Sequence, residues 1–217
     1  MNRKGLFVGA AALLLSAFVI GMLIYKSEKT QQSAQNADGN RASLVQFHSP
    51  VLGHPEAKVH IVEFLDPACE TCAAMYPYVK EIMAAYPDRV RLSIRHLPFH
   101  DGSDYVVKVL EASRKQGKYW QTLEALLASQ PYWARNHRVE PALIWKPLEA
   151  VGLNVEQIKV DMNAPEIAQR IAQDMQDARA LNVTKTPEYF VDGRPLPSFG
   201  LEQLQRQVRD AVGSAYR

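Results

Sequence analysis

Two cysteines, and only two, occur in 217 residues, and they stand three positions apart as Cys69-Glu70-Thr71-Cys72. A thiolate is at once a nucleophile, a leaving group and a soft metal ligand, so this spacing admits two chemistries. In one, the pair closes and opens an intrachain disulfide and passes it to another protein. In the other, the two sulfurs hold a metal. A four-Cys zinc site and a disulfide-rich scaffold are excluded, because there is no second pair. Copper(I), which favours thiolates, remains open, with nearby His as further donors. A purely structural bridge rarely closes so short a loop at the start of a helix.

The flanking residues say where the pair sits. Val59-His60-Ile61-Val62-Glu63-Phe64-Leu65 is apolar and β-branched, which predicts a largely buried strand ended by Asp66-Pro67. Cys72 to Tyr86 carries Met75, Val79, Ile82 and Met83 near helical spacing and is closed by Pro87. The cysteines therefore lie where a strand turns into a helix. Unpaired N–H groups and the macrodipole at such a terminus stabilise an anion and lower a thiol pKa from its ordinary ~8.5. Cys69 is expected to be the exposed nucleophile, with Cys72 one turn on, on the same side and deeper.

Further along, Val90 to His96 alternates apolar and polar residues and predicts a second strand. Helical stretches follow, marked by Tyr105, Val109 and Ala112, then by Trp120, Leu123 and Leu127, with a break at Gln130-Pro131. Leu143, Pro147 and Val151 suggest a third helix, and Ile167, Ile171, Met175 and Ala178 form an amphipathic stripe for a fourth. Asp192-Gly193 between Glu188–Val191 and Arg194–Leu196 is a hairpin signal, and Leu201, Leu204 and Val208 mark a terminal helix. The order predicts an α/β layered fold with a helical insertion after the second strand, at about residues 102–181.

The amino terminus reads differently. Leu6 to Tyr25 holds no charge, and twenty helical residues span about 30 Å, enough for a bilayer core. Arg3 and Lys4 precede it, so the positive-inside rule puts residues 1–4 in the cytoplasm, a membrane anchor at 5–25 and everything later outside. A cleaved signal peptide, leaving a soluble periplasmic form, is the competing reading. Its apolar region normally runs ~7–15 residues and ends at a small-x-small site, which Leu23-Ile24-Tyr25 does not offer. Residues 26–43 are polar and read as a flexible tether with a span of about 20–25 Å, leaving a domain at 44–217. Lys+Arg of 25 against Asp+Glu of 23 supplies no basic field for nucleic acid.

With these elements placed, the sequence resembles the thioredoxin superfamily, and within it the extracytoplasmic DsbA/DsbG-like branch. The likeness rests on the apolar strand before Cys69-Glu70-Thr71-Cys72, on Glu63 six residues before the first Cys, on Pro77 five after the second, and on Thr184-Lys185-Thr186-Pro187 before the hairpin. It implies a thioredoxin-like fold and thiol–disulfide exchange with exported cysteine-containing proteins, without a diffusible cofactor or metal. It implies that Glu63, buried in its strand with a raised pKa, moves a proton as the deeper thiol reacts. Pro77 would kink its helix. Pro187 would be cis and face the cysteines, and the backbone of Thr186 would pair with an extended substrate segment. A separate redox partner, in the membrane or outside it, must reset the cysteines. The implied location is the bacterial inner membrane, single-pass, with the catalytic domain in the periplasm.

Between the cysteines the chain departs from the strongly oxidising members, which carry Pro-His where Glu70-Thr71 stands. Two charges ~6 Å apart in water interact by about 0.7 kcal/mol. For two electrons that is only about 15 mV. Glu70 and Thr71 can therefore tune the potential without deciding its direction. The expectation is a couple more reducing than the DsbA-type oxidants. His96 and His100 are four apart, but Pro98 between them denies a single helical face, so loop packing is expected rather than a metal pair. Trp120, Trp133 and Trp145 read as core or groove aromatics.

Overall fold

All seven residues of the strand Val59–Leu65 (β2) are buried, because both of its faces are covered. Side chains alternate along a strand. Val59, Ile61 and Leu65 enter a large apolar cluster with Cys69, Cys72 and Val79, whereas Val62 and Phe64 enter a second one with Leu97, Ala178 and Phe190. A fully buried side chain of this kind contributes roughly 1.5–3 kcal/mol relative to exposure. Glu63 lies on the same face as Ile61 and Leu65, the face of the cysteines.

This computed structural model describes residues 43–217 together with Phe18, Ile20, Met22, Gly39 and Asn40. The expected cytoplasmic tail, most of the expected anchor and nearly all of the tether lie outside the described residues. Among the described residues, no helix is long and apolar enough to cross a membrane.

A short strand, β1 (Val51–Leu52), precedes β2; the helix α1 (Glu70–Ala85) then connects β2 to β3 (Val90–His96), which runs parallel to it. A parallel pair needs such a crossover. The insertion spans Ser103 to Ala180: α2 (Ser103–Ser113), α3 (Tyr119–Ala128), α4 (Gln130–Trp133), a two-strand ribbon β4 (Ala134–Arg135) and β5 (Arg138–Val139), α5 (Trp145–Leu148), α6 (Val155–Asp161) and α7 (Pro165–Ala180). The hairpin β6 (Glu188–Val191) and β7 (Arg194–Pro195) and the helix α8 (Leu201–Ala215) complete the chain. The main sheet has the order β1-β3-β2-β6-β7, with β1, β6 and β7 antiparallel to their neighbours.

Three local features differ from the sequence expectation. The helix after the cysteine turn begins at Glu70, two residues early, with Cys69 as its N-cap. Pro131 does not merely break a helix; it opens α4, because its fixed φ and missing N–H suit the first turn. The β4–β5 ribbon turns on Asn136 and His137, both at positive φ (50° and 61°), without the glycine that usually announces such a turn. Asp192 and Gly193 do carry that signature, at φ 49° and 83°.

The first described residues of the domain are clamped to α7. Fully buried Arg95 on β3 pairs with Asp174 and Asp177 and also donates to the carbonyls of Ser43 and Leu44. His48 reaches Asp174 at 2.7 Å.

Candidate active site

Cys69 is placed by the turn between β2 and α1, and Asp66 builds that turn. Its carboxylate is fully buried and accepts from the backbone N–H groups of Ala68, Phe99 and His100, from His100 Nδ1 at 2.6 Å and from the Ser103 hydroxyl. One side chain thus fixes the cysteine turn and the loop after β3 together. Gln130, at the start of α4, adds a second brace: its buried amide donates to the carbonyls of Pro67 at 2.7 Å and Cys69 at 3.0 Å. Neither role is visible in the sequence. Asp66 reads there only as a strand terminator, and Gln130 only as a neighbour of Pro131.

Both cysteines are free thiols. Cys69 Sγ lies 3.3 Å from the carbonyl of Thr186, and the Thr186–Pro187 bond is cis. The expected exposed nucleophile is in fact only 6% exposed: its Sγ lies against the Thr186 carbonyl, and its own carbonyl accepts from Gln130 of α4. Cys72, one turn on, is fully buried.

The two sulfurs are held far apart in acidity. Hydrogen bonding from the Cys72 thiol, from the Thr186 side chain and from the amides of Cys72 and Thr71 brings Cys69 down to about 5, against the opposing effect of burial. The Thr186 carbonyl accepts from the protonated thiol and so works the other way; the donors outnumber it. Burial, its donation to Cys69 and the nearby Glu63 and Cys69 charges push Cys72 well above the ordinary thiol value.

Glu63 is fully buried, and burial raises its carboxyl to about 8; a hydrogen bond from Tyr189 counters this and the Cys69 charge adds to it. One oxygen, Oε1, accepts from the Tyr189 hydroxyl at 3.1 Å, while Oε2 has no partner among the described residues. A buried carboxyl with one open oxygen, electrostatically coupled to both thiols, can hold or release a proton near neutral pH.

Glu70 and Thr71 are exposed, in the first turn of α1. Glu70 does not simply face the thiolate; its side chain lies 3.5 Å from His137 Nδ1 on the β4–β5 turn. His96 and His100 are not brought together. His96 packs against Tyr119, whose hydroxyl is 3.0 Å away, and near Glu111, whereas His100 is held by Asp66. Trp133 is fully buried, and Trp120 and Trp145 are half-buried against Tyr119 and Tyr105. Among the described residues, no imidazole gathers with the two sulfurs as a third metal donor.

A family model described as thioredoxin matches residues 46–210. A solved thioredoxin-like oxidoreductase from Silicibacter pomeroyi DSS-3 is 35% identical with a TM-score of 0.69, covering 81% of this chain and 97% of that one. The thiol-disulfide exchange protein alpha-DsbA2 from Wolbachia pipientis shares the fold at 18% identity and a TM-score of 0.71, covering 84% of this chain and 97% of that one. BdbD from Bacillus subtilis shares it at 22% identity and a TM-score of 0.68, over 76% and 94%. Among curated proteins, the Na(+)/H(+) antiporter NhaA of Herminiimonas arsenicoxydans is 28% identical over 197 residues, which cover 87% of this chain and 30% of that protein. NhaA 3 of Salinispora tropica is 32% identical over 169 residues, covering 76% and 25%. The chain thus spans less than a third of the length of these curated relatives.

Proposed function

We propose that this chain, which belongs to the thioredoxin family, exchanges disulfides with exported cysteine-containing proteins through Cys69 and Cys72. Thiol–disulfide oxidoreductase activity is the class that the family and the 35%-identical oxidoreductase support. The observation that carries the reading is the pairing of an acidic Cys69 at the tip of α1 with the Thr186 carbonyl 3.3 Å away, while Cys72 stays buried and protonated one turn below.

In the reducing direction, the Cys69 thiolate attacks a substrate disulfide. A mixed disulfide forms and one substrate thiolate leaves. Cys72 then gives its proton to the Glu63 carboxylate and attacks Cys69 Sγ, which releases the second substrate thiolate and leaves a Cys69–Cys72 disulfide. In the oxidising direction the same steps run backwards, and protonated Glu63 returns the proton to Cys72 as it departs. Thr186 and Pro187 form the wall against which an extended substrate segment lies, and Glu70 and Thr71 tune the couple. A redox partner outside this chain resets the cysteines. The apolar run at residues 5–25 would anchor the protein in the bacterial inner membrane with this domain in the periplasm.

Insulin reduction by the purified chain with dithiothreitol, set beside Cys69→Ser, tests the reading. Turnover that vanishes in the variant supports it. Stoichiometric copper(I) binding without turnover would favour metal handling by the same cysteines instead.

A further inference from the structure

We propose that Glu70, His100 and His137 form a binding site for a divalent transition-metal ion of the zinc class, beside the cysteine pair and separate from it. The three residues come from the first turn of α1, the loop after β3 and the β4–β5 turn, and each offers one ligand atom within 4.8 Å of the others. Ligand atoms of a tetrahedral zinc ion with bonds of about 2.0–2.1 Å stand roughly 3.3 Å apart. Glu70 and His137 have side chains 59% and 70% exposed, so both can close that gap without disturbing the core.

His100 is held by a carboxylate behind it. Its Nδ1 is 2.6 Å from the buried Asp66 carboxylate, which accepts from Nδ1–H and leaves the Nε2 lone pair for a metal. A carboxylate behind an imidazole in this way fixes the tautomer and orients the ring, which is the arrangement that supports metal-bound histidines. The rings of His100 and His137 stack at 5.2 Å with 21° between their planes. His137 is held in place by a turn at positive φ, and the neighbouring cation Arg138 lies 3.3 Å from Asp101 rather than on the site. Two imidazoles and two carboxylates, one direct and one behind His100, match a dication in charge and a borderline metal in donor type. Three protein donors leave a fourth position open.

The site touches the redox chemistry through Glu70, whose Cα is about 3.8 Å from that of Cys69 along the chain. Metal on Glu70 would neutralise a carboxylate one residue from Cys69.

The test removes the thiols first, so that its outcome is independent of disulfide exchange. Zn²⁺ is titrated into the full chain carrying Cys69→Ser and Cys72→Ser, in competition with a chromophoric chelator. One Zn²⁺ per chain is expected. His137→Asn in the same background keeps a residue that tolerates positive φ, and it should weaken binding by about tenfold or more. His54→Asn, at an exposed histidine elsewhere, should leave it unchanged. No zinc binding by the thiol-free chain, or equal affinity with His137 replaced, overturns the proposal.

Discussion

Tyr189 stands directly opposite Glu63 across the β2–β6 pair, and its hydroxyl donates to Glu63 Oε1 at 3.1 Å. Residues opposed in this way have Cβ atoms about 4.5–5.5 Å apart on one face, so the register itself brings the phenol to the carboxyl. The partner occupies one oxygen of a group whose other oxygen has no partner among the described residues.

Glu63→Gln keeps the volume of Glu63 and removes its proton chemistry. Insulin reduction at pH 7 should fall by about tenfold or more. The limb of the wild-type pH profile near 8, the value to which burial raises this carboxyl, should disappear. An unchanged profile would assign the limb to another group.

The same carboxyl links stability to pH. The fold keeps Glu63 protonated up to about 8, whereas the unfolded chain releases that proton above its ordinary 4.5. The folded state therefore binds more protons over that window, and the contribution of Glu63 to stability, complete below 4.5, is lost as pH rises through it. Glu63→Gln should gain in melting temperature relative to wild type between pH 5 and pH 8, with no further relative gain above about 8. Differential scanning fluorimetry across pH measures it.

Alkylation of Cys69 by iodoacetamide should show a midpoint near 5, far below the ~8.5 of a free cysteine. Hydrogen bonding from Cys72 is the largest cause, so Cys72→Ala should move the midpoint up. Reactivity that rises only above pH 8 in the wild-type chain would remove the basis for Cys69 as the attacking thiol.

A thiol near 5 lies between those of thioredoxin, at about 7, and DsbA, at about 3.5. Stabilising the thiolate stabilises the reduced form, so the potential should fall between about −270 and about −120 mV. Equilibration with glutathione measures it. A value at the −120 mV end would contradict the expectation drawn from Glu70-Thr71.

Asp66→Ala should cost about 3 kcal/mol of unfolding free energy, since it leaves the amides of Ala68 and His100 and the buried Ser103 hydroxyl without their acceptor and releases the His100 ring. Urea unfolding reads the loss, and Asp66→Asn should recover part of it by keeping an acceptor.

The cysteine pair, the strand before it, the helix after it and the Asp-Gly hairpin were legible in the amino-acid sequence because each is written in adjacent residues. Apolar runs, helical spacing and turn chemistry act over a few positions. Burial of Glu63 followed from the same logic, as it sits inside an unbroken apolar run. Family resemblance supplied the cis Thr186–Pro187 bond, which no local pattern specifies. Only the tertiary structure decided what surrounds these groups. Tyr189 meets Glu63 across 126 positions through strand register, Gln130 braces Cys69 across 61, and His137 reaches Glu70 from a turn whose positive φ values carry no glycine mark. Periodicity reports which face a residue occupies, whereas partnership across a sheet or between loops depends on how whole elements pack, and that is a property of the assembled core.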